Sequence, residues 1–349
     1  MRLNDRKLAN WLVSIAALLV LLVYGRPLLV PLVFALLLWA ILNALTDVLR
    51  RWHFPAWVAW PTAFVLIGAA LYFVALVLID EAAALAAQLP DYVARLGQAW
   101  TAHIPFSRQP LDVGALLKQS DLPSMLGGAA ASIGNTVLEL GLVVVYVGFL
   151  LAEQRYLPAK LARLRRHRMA QDEGERLIHA IGRQIRSYLG VCTLLSVGIG
   201  ALCYVVLSVL GVGFAGFWAV VLFFLTYIPV VGGFGVALPA LMALAQFQSP
   251  GPAIVIVIIL GTAHFIATNV IEPIMLGRSL NLSPFVIILS LTFWGLLWGV
   301  GGLFVAVPMT GAIAIACRHI EGLGWFAEII AGPPPRHHRW WPRATVTRK

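Results

Sequence analysis

Three ionisable residues stand alone in a long apolar stretch of this sequence. Between Ser187 and Cys317 the chain has one acidic residue, Glu272, one strong base, Arg278, and one histidine, His264. Keeping a charge in such a setting costs about 2.5–3.5 kcal/mol even on lenient insertion scales, so ionisable groups retained there usually mark functional sites. A carboxylate in this place could bind a proton, a small cation or a hydroxylated solute.

Hydroxyl and amide groups accompany the carboxylate. His264, Thr268 and Glu272 follow i, i+4, i+8 spacing, which predicts that they share one face of a helix ending at Pro273. Asn269 adds an amide on the adjacent stripe. By itself, His264 is better explained by a packing role than by a functional one.

The carboxylate of Glu272 has two interpretations that the residues leave open. It could bind the transported species during the transport cycle. It could also pair with Arg278 across the turn Pro273–Gly277 and so pin a cytoplasmic loop at the membrane interface.

A second candidate is the step Tyr227–Pro229, which Gly232 and Gly233 follow. Pro229 removes a backbone donor and leaves a carbonyl free one turn earlier, while the glycines let another chain or a solute approach closely. Tyr227 would supply a polar group at this break.

The composition predicts a multi-pass membrane protein. Of 349 residues, 60% are hydrophobic and only 11% charged, and the mean hydropathy is +0.89; a soluble domain is nearer half apolar and a quarter charged. The net charge of +10 comes from Lys and Arg beside apolar runs, which favours membrane lipid as a partner and argues against nucleic acid. The three cysteines lack metal-site spacing, so no metal or cofactor is predicted.

The sequence gives no sign of an enzyme. It lacks the zinc-protease pattern H-E-x-x-H, the hydrolase pattern G-x-S-x-G, a Walker A sequence and paired intramembrane aspartates. A transporter coupled directly to ATP is disfavoured for the same reason.

The predicted fold class is all-α, a polytopic membrane helical bundle with about eight spans. The runs Leu8–Gly25 and Pro27–Leu45 predict a helical hairpin around Gly25. We divide the chain into a three-span membrane region at 1–79, an extracytoplasmic amphipathic segment at 80–128, a fourth span at 129–152, a basic cytoplasmic segment at 153–187, a transport core at 188–317 and a basic cytoplasmic tail at 318–349.

Two apolar blocks, Phe214–Ala245 and Pro284–Ala316, are each too long for one ordinary span and are broken by Gly and Pro. They predict deep or re-entrant hairpins, with Ala253–Ile271 as a single crossing between them. Paired interrupted segments of this kind indicate a transporter binding site. The alternative is that the small residues only allow close helix packing.

An ordered set of motifs resembles the autoinducer-2 exporter family, also called the PerM-like permeases. The resemblance covers nearly the whole chain in layout and is most specific between Tyr188 and Pro308. The motifs are Leu210–Val212, Tyr227–Gly232, Pro239, Asn269–Pro273, Gly277–Leu280, Ser283–Pro284, Gly299–Gly302 and Val307–Pro308.

The resemblance implies a bacterial inner-membrane protein with seven or eight spans that assembles as a homo-oligomer, with pentamers known. It also implies export of the signal autoinducer-2 or, in other members, exchange of Na+ or Li+ for protons. By the positive-inside rule, both basic termini are expected to be cytoplasmic.

The leading hypothesis is therefore a secondary transporter that exports a small polar solute such as autoinducer-2. The alternatives are a Na+(Li+)/H+ antiporter and a non-transporting membrane scaffold that docks partners or lipid through its basic segment. The residues expected to act in transport or coupling are Glu272, Arg278, Asn269, Tyr227, Thr268 and His264. Those expected to shape the backbone are Pro229, Gly232, Pro273, Gly277 and Pro284.

Overall fold

The computed structural model describes residues 13–14, 16–103, 133–154, 156, 171–276, 282–319 and 324–332. Regular structure in these ranges is helical, apart from one isolated β-bridge between Leu282 and Ala331. In chain order the elements are α1 (16–24), α2 (Arg26–Arg51), α3 (Ala56–His103), α4 (Ile133–Glu153), α5 (Gln171–Leu210), α6 (Ala215–Thr226), α7 (Val231–Gly235), α8 (Ala237–Phe247), α9 (Pro250–Ile266), a π-helix (Ala267–Ile271), α10 (Glu272–Leu276), α11 (Pro284–Trp298), α12 (Val300–His319) and α13 (Gly324–Ile330).

Several of these helices have the length and composition of membrane spans. In the described ranges, five runs qualify: Arg26–Arg51, Trp57–Ala99, Ala180–Leu210, Pro250–Leu276 and Val300–Arg318. The shorter apolar helical runs are Gly141–Glu153, Ala215–Thr226, Val231–Phe247 and Pro284–Trp298. The predicted fold class, a polytopic all-α membrane bundle, is confirmed.

The hairpin predicted around Gly25 is wrong. Gly25 has right-handed helical angles (φ −77°, ψ −1°), its N–H donates to Leu21 O at 2.8 Å, and its carbonyl accepts from Leu29 N at 2.8 Å. The chain therefore passes from α1 into α2 without reversing. Pro27 does not reverse it because a proline in the first turn of a helix gives up an N–H that has no intrahelical partner there.

The interruption at Gly25 is supported from outside the helix. Trp298 Nε1 donates to Leu22 O at 3.0 Å, so an indole from the end of α11 bonds the last turn of α1. This contact ties the start of α2 to the second of the two glycine-rich blocks.

α3 is one helix of 48 residues, so the predicted division at Asp80 is a change of polarity and does not interrupt the helix. At about 1.5 Å per residue it is about 72 Å long, more than twice the thickness of the apolar layer. Its second half packs against the bundle: Glu81 Oε2 accepts a hydrogen bond from Phe217 N, and Gln248 Nε2 donates to Arg95 O at 2.8 Å.

The block Pro284–Ala316 forms an antiparallel hairpin of α11 and α12. The chain turns at Gly299, whose angles (φ 64°, ψ −140°) are open essentially to glycine alone. Ser290 Oγ donates to Ala306 O at 2.9 Å and lies 2.6 Å from Thr310 Oγ1, so polar groups join the two arms.

The block Phe214–Ala245 is divided into α6, α7 and α8, as its glycines and prolines predict. α6 has 12 residues and is about 18 Å long, too short to cross an apolar layer of about 30 Å. α6 packs on α5 and α3, whereas α8 packs on α9 and α3.

Two buried clusters position the region around this break. The larger joins α5, α6, α8 and α9 around side chains such as Leu207, Leu222 and Leu260. A smaller one joins α2, α5 and α12 and consists of Ala40, Tyr188, Leu189, Cys192 and Val307. Tyr227, at the end of α6, packs against this smaller cluster.

We predict that Gly302→Ala disrupts the α11–α12 hairpin. A Cβ at Gly302 would overlap the backbone carbonyl of Trp294, which cannot move without breaking its helix. We expect a loss of about 3 kcal/mol in unfolding free energy, the upper end for overpacking, seen as a lower melting temperature in detergent by tryptophan fluorescence.

The control for this experiment is Gly261→Ala, a helical glycine whose added Cβ meets nothing within 4 Å. It should melt at or above the wild-type temperature, since alanine favours helix over glycine by about 1 kcal/mol. Equal melting temperatures for the two variants would contradict the hairpin geometry.

Candidate functional site

The backbone between α6 and α7 makes a very tight reversal. Val230 has φ 71° and ψ −48°, and Val231 N donates to Pro229 O at 2.8 Å. This i to i+2 hydrogen bond with positive φ defines a γ-turn of the rare, strained form. A β-branched side chain makes positive φ more costly, so Val230 holds stored strain at the centre of the break.

His264 of α9 lies directly on this break. A Cβ added to Gly232 would be 2.8 Å from His264 Cε1, and one added to Gly233 would be 3.5 Å from Cδ2. Because Gly232 and Gly233 have no side chains, the His264 imidazole can lie against the backbone of the break. His264 is 7% exposed, and its Nδ1 atom is buried without a hydrogen-bond partner in the described part of the chain.

The helix that carries His264 widens before it reaches Glu272. Residues Ala267–Ile271 form a π-helix, an element often found at functional sites. Thr268 Oγ1 donates to His264 O at 2.9 Å, and Asn269 Nδ2 donates to Phe265 O at 3.0 Å. These two polar side chains therefore satisfy carbonyls of their own helix, and Asn269 is exposed.

Glu272 is half-buried at the start of α10, which packs on α5. Its carboxylate lies within electrostatic range of Tyr188 and Cys192 on α5. The structure does not bring His264 and Glu272 onto a shared partner: the imidazole contacts the α6–α7 break, and the carboxylate faces α5.

Tyr227 connects the break to α5. Its hydroxyl lies 2.6 Å from Thr193 Oγ1, which also contacts Leu189 O at 2.6 Å. The Tyr227 ring packs on Phe223 and Phe304 with centroid distances of 5.6 and 6.3 Å. The site therefore includes a hydroxyl pair that joins the end of α6 to the middle of α5.

The residues on α5 were missed by the sequence analysis. Tyr188, Cys192 and Ser196 recur every four residues, so one stripe of this helix carries hydroxyl and thiol groups. Ser196 is fully buried, and its Oγ makes no hydrogen bond to any described residue. The spacing was the available signal, but uncharged residues gave no reason to choose this helix.

The remaining predicted residues are placed as follows. Gly277 and Arg278 lie outside the described residues, so the predicted ion pair with Glu272 stays a prediction. Pro273 is the second residue of α10, Pro284 opens α11, and both are exposed. In the described ranges, no three His, Cys, Asp or Glu side chains are grouped as a metal site would require.

Comparisons with known proteins give a consistent match. A family model described as AI-2E family transporter matches residues 12–322. The AI-2 transport protein TqsA of Escherichia coli (strain K12) is 27% identical over 327 residues, 92% of this chain and 94% of that protein. A candidate transport protein of Haemophilus influenzae is 26% identical over 341 residues, 94% of this chain and 97% of that protein.

The contact between His264 and the break yields a prediction for the two glycines. Gly232→Ala places a Cβ 2.8 Å from His264 Cε1 and 2.9 Å from Leu225 O, so we expect a loss of about 1–3 kcal/mol in stability. Gly233→Ala makes only ordinary contacts and should leave the melting temperature near the wild-type value. Equal effects of the two substitutions would contradict the described packing.

Proposed function

We propose that this chain, which belongs to the AI-2E transporter family, is a secondary transporter whose solute path lies between its two broken helical blocks. The observation that carries the proposal is the strained γ-turn at Val230 in direct contact with the second block. Ile228 is buried in one cluster with Trp294 and Trp298 of α11, and Val231 packs against that cluster. Broken, paired segments with stored strain are typical of transport sites.

The topology that fits this proposal has five crossings and two re-entrant hairpins. α2, α3, α4, α5 and the run from α9 to α10 cross, whereas α6–α8 and α11–α12 enter and return. This count places Arg50–Arg51, the basic segment 153–187 and the tail 318–349 on one side, which the positive-inside rule makes cytoplasmic. Because α1 continues α2, this proposal puts the N-terminal end of α1 on the other side, unlike the cytoplasmic N-terminus that the sequence predicts.

Glu272 is the coupling group in this proposal. A half-buried carboxylate at the end of a spanning run is costly to keep charged, so it is suited to changing protonation during a transport cycle. Tyr188 and Cys192 are the groups on α5 that would respond to its charge. Arg278 is its proposed ion-pair partner.

Autoinducer-2, or a solute with similar hydroxyl groups, is the proposed cargo. Support comes from the relative whose name states AI-2 transport, to which this chain is similar over 92% of its length. The hydroxyl groups of Tyr227 and Thr193 provide donors and acceptors that can bind a hydroxylated solute. A bacterial inner-membrane location and assembly as a homo-oligomer are part of the same proposal.

Cation/proton antiport is a second candidate, and the π-helix before Glu272 favours it. An irregular helical turn leaves carbonyl oxygens off the regular ladder, and Na+ sites in transporters combine such oxygens with a carboxylate. In proteoliposomes loaded with a pH dye, a Na+-evoked proton signal would identify this activity. Carboxylate-dependent movement of autoinducer-2 without a Na+ response would favour export.

We predict that Glu272→Gln lowers transport at least about 100-fold, the scale expected when a proton-transferring group is removed, while the protein keeps its wild-type melting temperature. The matched control is Asp47→Asn, which neutralises an exposed carboxylate on α2 and should leave transport unchanged. Both variants would be compared with wild type in proteoliposomes challenged in turn with Na+ and autoinducer-2. Normal flux in Glu272→Gln would remove Glu272 from the mechanism.

A further inference from the structure

We infer that the γ-turn at Val230 is a gate held in its strained form by Thr193, a positioning residue, through its hydrogen bond to Tyr227. The inference rests on the proposed function, because it takes the break between α6 and α7 as part of the solute path. Thr193 and the strain at Val230 are absent from the residues that the sequence indicated.

The strain is not offset by the side chain that bears it. Val230 is 59% exposed, so burial of its isopropyl group does not compensate for the energetic cost of its positive φ. The conformation must be maintained by contacts of its neighbours on either side. Residues in sparsely populated regions persist only where the surrounding structure determines them, and they cluster at switching sites.

On the N-terminal side, the clasp is the hydroxyl pair. Tyr227 OH lies 2.6 Å from Thr193 Oγ1. In the described residues, this is the only side-chain hydrogen bond that joins this end of α6 to α5. The Tyr227 ring packs against the buried cluster that contains Cys192. Release of Tyr227 would therefore uncover the Cys192 thiol, which is 5% exposed in this conformation.

On the C-terminal side, the contact between His264 and the break can be lost without loss of a hydrogen bond between Nδ1 and any described residue. The His264 ring lies against Gly232 and Gly233, and its buried Nδ1 makes no hydrogen bond to any described residue. Moving the ring away from the glycines breaks no hydrogen bond of that nitrogen. The strained turn at Val230 is thus held by the Tyr227 hydroxyl bond, by the packing of His264 and by the burial of Ile228 beside Trp294 and Trp298.

Cys192 allows the gate to be measured without any solute. In a Cys203→Ala/Cys317→Ala background, Cys192 is the sole thiol, and its rate of alkylation by N-ethylmaleimide in the purified full-length protein reports opening. Melting temperatures establish that each variant is folded. The same variants are then assayed for turnover and KM in proteoliposomes with autoinducer-2.

The strain is tested by comparing Val230→Gly with Val230→Ala. Both remove the exposed isopropyl group, but only glycine removes the Cβ that makes positive φ costly. Val230→Gly should be alkylated about tenfold more slowly than Val230→Ala and should show a similarly lower turnover at unchanged KM. Equal alkylation rates for the two variants would overturn the inference.

The clasp is tested by comparing Thr193→Val with Thr292→Val. Thr292 is an exposed threonine of α11 whose hydroxyl, within the described part of the chain, bonds only the Ile288 carbonyl of its own helix. Losing the Thr193–Tyr227 hydrogen bond should speed alkylation of Cys192 about fivefold, whereas Thr292→Val should match the background. Identical rates would show that Thr193 does not hold the gate.

The outcomes separate this inference from the proposed function. Alkylation rates that follow the expected order in a protein that moves neither autoinducer-2 nor Na+ support the gate and reject the proposed cargoes. Wild-type transport together with alkylation rates that do not respond to Val230 or Thr193 keeps the function and rejects the gate.

Discussion

Backbone N–H and C=O groups in an apolar layer have no water to bond, so every interruption of a helix in this protein must find a partner within the chain. The structure shows such partners at the α1–α2 and α5–α6 junctions. Trp298 bonds the Leu22 carbonyl at the junction of α1 and α2. Glu81 caps Phe217 N in the first turn of α6, and Gln246 bonds both Gly211 O and Gly213 N between α5 and α6. These pairings satisfy backbone groups at both junctions.

The glycines and prolines predicted the breaks well where they also control backbone shape. Gly299 adopts angles that other residues avoid, and Pro229 begins the reversal between α6 and α7. Pro27 misled the prediction because the missing N–H of a proline costs nothing in the first helical turn. Asp80 misled the division of α3 in a different way: a polar residue changes the surroundings of a helix but does not end it. The sequence thus located changes in polarity along the chain more reliably than places where the chain reverses direction.

The candidate site was predictable only in its charged part. Glu272 and His264 stood out because each is costly in an apolar stretch. Thr193 could not be found in that way, since its importance comes from a partner 34 positions away on another helix. The π-helix also escaped prediction: nothing in Ala267–Ile271 marks a widened turn, and α-helical spacing was therefore carried through it. What the sequence lacked was the tertiary partner, not the chemistry of each group.

The arrangement of α9, the π-helix and α10 gives a physical reason to treat the carboxylate and the break as one system. This single run carries His264 against Gly232 at one end and Glu272 beside Tyr188 at the other. α5 links the two, because Tyr188 and Cys192 lie within electrostatic range of Glu272 and the next residue, Thr193, is hydrogen-bonded to Tyr227. In the proposed mechanism, a change of charge at Glu272 acts on the helix that clasps the break, and a movement of the break acts on the helix that bears the carboxylate. Coupling between proton and solute needs such a closed loop of contacts, since two sites influence each other only through an element that both of them bias.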